Sequence, residues 1–93
     1  MANTKIDWKT YSWVVRGSQR KKIIAALNKP KIPTEIKKET KLSIAHVSKI
    51  LKDFQEKNIA DCLTPEVHSG KIYTLTKKGM IIREQVMKYG EKE

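Results

Sequence analysis

The residues best suited to recognition chemistry lie in the stretch Ser43–Ile59, SIAHVSKILKDFQEKNI. Ile44, Val47, Ile50, Leu51 and Phe54 recur at steps of three and four, which predicts an amphipathic helix with these five as its core stripe. The opposite side carries Ala45, Lys49, Lys52 and Glu56, flanked by His46 and Ser48. These types suit the edge of a base pair. An alanine can touch a thymine methyl, a serine hydroxyl can donate to or accept from a base edge, and a lysine can reach guanine O6/N7 or a phosphate. Ser43 is placed to cap the helix, leaving N–H groups that favour a phosphate. The acids Asp53 and Glu56 fall in the C-terminal half. The plainer alternative is a solvated helix face with an ordinary cap. Periodicity assigns Ile44 to the core in preference to the bases.

A polyanion partner agrees with the charge. The 93 residues contain 20 basic and 10 acidic side chains, a formal net charge of +10. Such an excess favours nucleic acid or an anionic membrane surface, although solubility alone is an alternative. The charge is uneven. Between Ser18 and Lys41 stand Arg20, Lys21, Lys22, Lys29, Lys31, Lys37, Lys38 and Lys41 against Glu35 and Glu39, whereas Ile59–Gly70 holds Asp61 and Glu66 and no Lys or Arg. Arg20, Lys37 and Lys38 are candidate phosphate clamps.

Other chemistries find no support in the sequence. Cys62 is the single cysteine; with two distant histidines it gives no metal-ligand spacing, and it reads as a small apolar strand residue. No cofactor or metal is expected. A nucleophile–base pair, a Gly-rich phosphate loop and a paired-carboxylate frame are all missing, so an enzyme is not expected. No apolar run approaches a membrane span and the N-terminus lacks a signal-peptide core, so the chain is expected in the cytoplasm, associated with the nucleoid.

The elements that must position the candidate residues follow from caps and breakers. Residues 1–17 hold Trp8, Tyr11, Trp13, Val14 and Val15, and this arm is expected to pack on the domain as a helix or a short extended piece. Gly17-Ser18 offers a break and an N-cap for SQRKKIIAALN, with Ile23, Ala26 and Leu27 inward. KPKIP stops that helix and leaves Ile32 at most a very short strand. Thr34 is expected to cap a two-turn helix with Ile36 inward, and KLS forms a tight turn before Ser43. Asn58 suits the left-handed position after the long helix. IADCLT and KIYTL, around a loop of about six residues, predict an antiparallel hairpin. Thr76 caps a last helix running to about Gly90. The order is α+β and mostly helical. Two short helices joined by a tight turn and followed by a hairpin describe a winged helix-turn-helix: a three-helix core, a β-hairpin wing and an additional C-terminal helix. The expected division is an arm over 1–17, a DNA-binding domain over 18–76 and a C-terminal helix over 77–93.

Over residues 18–80 the chain resembles the small winged-helix transcriptional regulators of archaea, related broadly to the ArsR and MarR groups. The resemblance rests on Thr34-Glu35-Ile36, on Ser43, Val47, Ser48 and Leu51, on Leu63-Thr64-Pro65-Glu66, and on Gly70, Tyr73-Thr74-Leu75-Thr76 and Gly79. Asn58 stands where a glycine is usual, and the wing tip EVHSGK has one basic residue where relatives often have several. The metal-binding cysteine motif of ArsR sensors is absent, so metal sensing does not carry over.

The resemblance implies a recognition helix of about 43–57 in the major groove and a wing of about 65–71 on the adjacent groove or backbone. It makes Ser43, Ala45, His46, Ser48, Lys49, Lys52, Thr34, Lys37, Lys38, Arg20, His68, Ser69 and Lys71 the candidate DNA contacts. The function it implies is sequence-specific binding of double-stranded DNA in transcription regulation. The alternatives are a non-specific DNA- or RNA-binding scaffold and a winged-helix subunit used for protein contact. The last helix carries Ile82, Val86 and Tyr89 in one stripe and Met80 and Met87 in another. Two apolar faces exceed the need of one small domain, so a homodimer is expected, with Trp8, Tyr11, Trp13, Ile82, Val86 and Tyr89 at its interface.

Overall fold

The computed structural model describes residues 7–68 and 70–90. The elements run α1 (Trp8–Arg16), α2 (Ser18–Ala26), α3 (Pro33–Thr40), α4 (Ile44–Glu56), β1 (Ala60–Cys62), β2 (Tyr73–Leu75) and α5 (Lys77–Gln85), which continues into a π-helical turn, Val86–Gly90.

The arm is a helix. Asp7 caps it, accepting from the Thr10 N–H at 3.2 Å and the Thr10 hydroxyl at 2.8 Å. These bonds, with Lys78 at 3.3 Å, hold the Asp7 carboxyl down at about 2. Val14 is fully buried, and Trp13 packs edge-on against Phe54 with ring centroids 5.9 Å apart. The expected N-cap at Ser18 is corrected: Gly17 occupies that position, with no side-chain capping bond, and Ser18 is already inside α2.

The Thr34 cap is corrected as well. Pro33 supplies a fixed φ for the first helical residue, so the helix begins two positions earlier and Ile32 is its N-cap. The Glu35 carboxylate reaches back to the Ile32 N–H at 3.1 Å. The short extended piece is Lys31 and not Ile32. Lys31 exchanges two backbone bonds with Tyr73 (3.0 and 2.8 Å), adding one residue to the edge of the hairpin. Its side chain is buried and ion-paired with Glu39 at 2.7 Å, which ties the base of the hairpin to α3.

Thr40 ends α3 with its hydroxyl on the Ile36 carbonyl, and Lys41 adopts a left-handed φ of 63° that turns the chain into α4. Ser43 caps α4, accepting from the His46 N–H at 3.2 Å. At the other end Asn58 takes φ 61°, and the Ile59 N–H closes on the Phe54 carbonyl at 2.8 Å, a wide C-terminal loop of the kind a left-handed residue allows. Strands β1 and β2 pair antiparallel in the register Ala60↔Leu75, Asp61↔Thr74 and Cys62↔Tyr73. The strands are shorter than expected, so their connection extends from Leu63 to Ile72.

Val14, Ile23, Ile24, Leu27, Ile36, Val47, Leu51, Phe54, Ile59, Ile82 and Val86 belong to one core cluster. The last helix is locked onto it by polar contacts too. Thr76 caps α5 at the Gly79 N–H (3.0 Å) and binds the Asn58 and Ile59 carbonyls. The Arg83 guanidinium donates to carbonyls at the end of α2, Ile24 at 3.2 Å and Ala25 at 2.9 Å. Ile82 and Val86 therefore cover this subunit's own core, at 1% and 2% exposure. Their place at a dimer interface is corrected, because neither has surface left to offer. Tyr89 leaves their stripe and is 55% exposed, since the π-helical turn takes more residues per turn and shifts the phase beyond Val86.

Candidate nucleic-acid interface

One side of α4 is covered and the other is open. Val47, Leu51 and Phe54 are fully buried and Ile50 nearly so, whereas Ala45, His46, Ser48, Lys49 and Lys52 are exposed, as is the cap residue Ser43. The structure thus brings five expected contact residues onto the open side of one helix, with a sixth, Ser43, at its cap. Ile44 is the exception to the core stripe. It is 42% exposed, because in the first turn it lines an open cleft instead of entering the core cluster.

The open face has two borders of different character. Ile44 and Ser48 line a cleft of about 480 Å3 whose far wall comes from Thr34 at the start of α3 and from His68, Gly70 and Lys71 of the wing. On the other border, His46 and Lys49 line a cleft of about 380 Å3 with Gly17, Ser18 and Arg20 at the start of α2 and with Asp53. Thr34, His68 and Lys71 therefore come together beside Ser48, although Thr34 reaches this place without capping α3. Ser69 lies outside the described residues.

The charged groups are not equally available. Lys37 and Lys38 on α3 and Lys52 on α4 are exposed, and none has a charged partner among the described residues. Lys49 is 72% exposed and sits 3.2 Å from Asp53, one turn along α4. Arg20 has a structural task that the expected phosphate clamp did not include. Its guanidinium lies 4.3 Å from the Trp13 ring centroid and donates to the Trp13 carbonyl, fastening α1 to α2. Lys57 approaches the same ring at 4.8 Å. The His46 ring nitrogen Nδ1 stands 3.1 Å from the Ser43 hydroxyl, so the capping serine bridges backbone and imidazole. Behind the wing, burial pushes the Tyr73 phenol above its ordinary pKa, with Cys62 beside it as a lesser cause.

No group of His, Cys, Asp and Glu side chains among the described residues could hold a metal ion, and no described helix is long and apolar enough to cross a membrane. A further cleft lies away from α4. It is a cleft of about 730 Å3 between the end of α2, β2 and α5, bordered by Leu27, Pro30, Met80, Arg83 and Met87. Sequence reasoning expected one of the two apolar stripes of the last helix to be left open but named Ile82, Val86 and Tyr89 for the interface, because periodicity does not say which stripe the core takes.

No family profile matches the chain, and no characterised protein matches it in sequence. Among solved structures, two variants of Lactococcus lactis ZitR with substitutions at one cysteine, one of them also at a histidine, superpose with a TM-score of 0.69 each. One is 23% identical over 82% of this chain and 53% of its own. The other is 20% identical over 99% of this chain and 57% of its own. The fold is a winged helix. α3 and α4 form its helix-turn-helix, β1 and β2 its wing, and the chain spans little more than half the length of the ZitR structures it matches.

Proposed function

We propose that the protein is a transcriptional regulator that binds a specific sequence of double-stranded DNA. In this reading α4 enters the major groove, with Ser48, Lys49, Ala45 and His46 towards the bases. The wing, through His68 and Lys71, meets the adjacent groove or backbone, and Lys37, Lys38 and Lys52 meet phosphates. The observation that carries the reading is the open face of α4. It is the exposed side of the second helix in a helix-turn-helix, it begins with small uncharged residues, and cations follow on either side. Binding through the backbone alone would favour lysines at 43–48, so the composition of that stretch supports sequence reading over a non-specific scaffold. A structural likeness at 23% and 20% identity supports the fold and leaves the partner to experiment.

The further parts of the reading are a cytoplasmic, nucleoid-associated location, no catalytic activity and a homodimer. A dimer would present two recognition helices to half-sites about one DNA turn apart. The surface now favoured for it is the exposed side of the last helix, with Met80 at 57%, Met87 at 39% and Tyr89 at 55% exposure, together with Trp8 at 57%. Tyr11 and Trp13 are partly buried against the subunit's own core and serve it first.

The test is a salt titration of duplex binding, using random DNA and a duplex selected from a random pool. Affinity should fall steeply with salt, and Lys52→Ala should lower the log–log slope by about 0.9, the release expected for one neutralised phosphate. A flat response would transfer the open face to a protein partner. Equal affinity for selected and random duplexes would support the non-specific scaffold.

A further inference from the structure

An exposed isoleucine at the head of an otherwise hydrophilic surface needs an explanation. Ile44 is 42% exposed, and the apolar residues that continue its row, Val47 and Leu51, are fully buried. Folding therefore does not require an isoleucine at this position. Its neighbour one turn on is Ser48, also exposed, and the two share a cleft with Thr34 and Lys71. Ile44 is the most exposed apolar side chain of that cleft, standing beside the half-buried Ile32, Pro33 and Tyr73, the hydroxyls of Ser48 and Thr34 and the Lys71 cation.

A DNA surface offers few apolar groups to such a point. Along the major-groove edge the sugar–phosphate backbone and the base heteroatoms are polar, and the thymine methyl is the apolar feature. Lys71 in the cleft and the net charge of +10 favour DNA over an apolar protein partner. Resting on the DNA-binding reading above, we infer that Ile44 is a specificity-determining residue that packs on a thymine methyl group, while Ser48 hydrogen-bonds a neighbouring base edge. Ala45 lies further round the helix from the wing and contacts a different base step.

Deoxyuridine tests this directly, since it pairs as thymine does and lacks only the methyl. A duplex selected from a random pool by the full chain is remade with each thymine replaced in turn by deoxyuridine, and binding is followed by fluorescence anisotropy. One replacement should weaken binding roughly fourfold, the loss expected from withdrawing one buried methyl. Ile44→Ala should bind the thymine and deoxyuridine duplexes equally, keep the helical circular dichroism of the parent, and keep its affinity for random DNA at low salt. Deoxyuridine without effect at every position, alongside steep salt dependence, would overturn this inference and leave the DNA-binding reading intact. A thymine preference that survives Ile44→Ala would overturn it too, and would assign the methyl to Ala45. If no duplex is retained even at low salt, the DNA-binding reading fails and this inference with it.

Discussion

Replacing Asp53 by asparagine should strengthen DNA binding. Asp53 is one turn beyond Lys49, and the two are 3.2 Å apart on the open face of α4. For Lys49 to reach a base edge or a phosphate it must leave that carboxylate. An exposed pair at this helical spacing is worth about 0.3–0.5 kcal/mol, so releasing it beforehand removes a cost of that size from binding. The carboxylate also repels the DNA. A like charge held about a Debye length (~10 Å) from a phosphate, in a medium close to water, costs about 0.4 kcal/mol. The two effects sum to about 0.8 kcal/mol, or roughly a fourfold gain in affinity at low salt. The gain should shrink as salt rises, because charges separated by about a Debye length are screened. The assay is anisotropy of a labelled duplex with Asp53→Asn, Lys49→Ala and the double variant. In the Lys49→Ala background the gain should drop to about twofold, since only the repulsion remains. Unchanged or weaker binding by Asp53→Asn would refute the placement of this face against DNA. An equal gain with and without Lys49 would show that the ion pair does not restrain the lysine.

Three further outcomes follow from the packing. Gly79→Ala would drive a Cβ into the Ile59 carbonyl, a backbone atom that also accepts from Thr76, and should cost about 3 kcal/mol in urea unfolding, whereas the exposed Lys77→Ala should change little. The Asp7 carboxyl is held down near 2 by its Thr10 bonds and Lys78, so its support of α1 is complete above the ordinary carboxylate value of 3.8 and is lost as pH falls through about 2; the Thr10 amide followed by NMR should titrate there, and should not in Asp7→Asn. Sedimentation equilibrium at micromolar concentration should give about twice the 10.7 kDa of one chain and return to one chain in Met80→Glu with Met87→Glu, both exposed in the subunit; 10.7 kDa throughout would show a monomer.

The fold was legible where local chemistry and tertiary packing ask for the same residue. Ser43 and Thr76 cap the helices they were expected to cap, because each precedes its helix by one position and no proline competes. Asn58 takes its left-handed place, and the hairpin forms in antiparallel register. Legibility failed where two signals overlapped. At 32–35 a proline and a threonine both mark a helix start, and the proline prevailed because it sets φ one residue earlier. Periodicity also carried the Ile82, Val86 and Tyr89 stripe past the point where the helix changes its winding.

The candidate site was legible as a face and not as a set of borders. Spacing alone puts Ala45, Lys49, Lys52 and Glu56 opposite Val47, Leu51 and Phe54, with His46 and Ser48 flanking, and the structure keeps that division. What spacing cannot supply is the neighbour across the gap. Ile44 is apolar and in phase with the core, yet it lines an open cleft between the start of α3 and the wing and stays 42% exposed. Arg20 sits in a basic run that suggests phosphate, yet its guanidinium is drawn to Trp13 from seven residues upstream. Lys31 belongs to the same run and is buried against Glu39. Charge counted along a sequence therefore overstates what faces a partner, and the open face of α4 defines the candidate surface more sharply than the total of +10. Cations that hold the fold together are removed from that total for binding, and the salt response should depend on Lys37, Lys38, Lys49 and Lys52 with Lys71 of the wing.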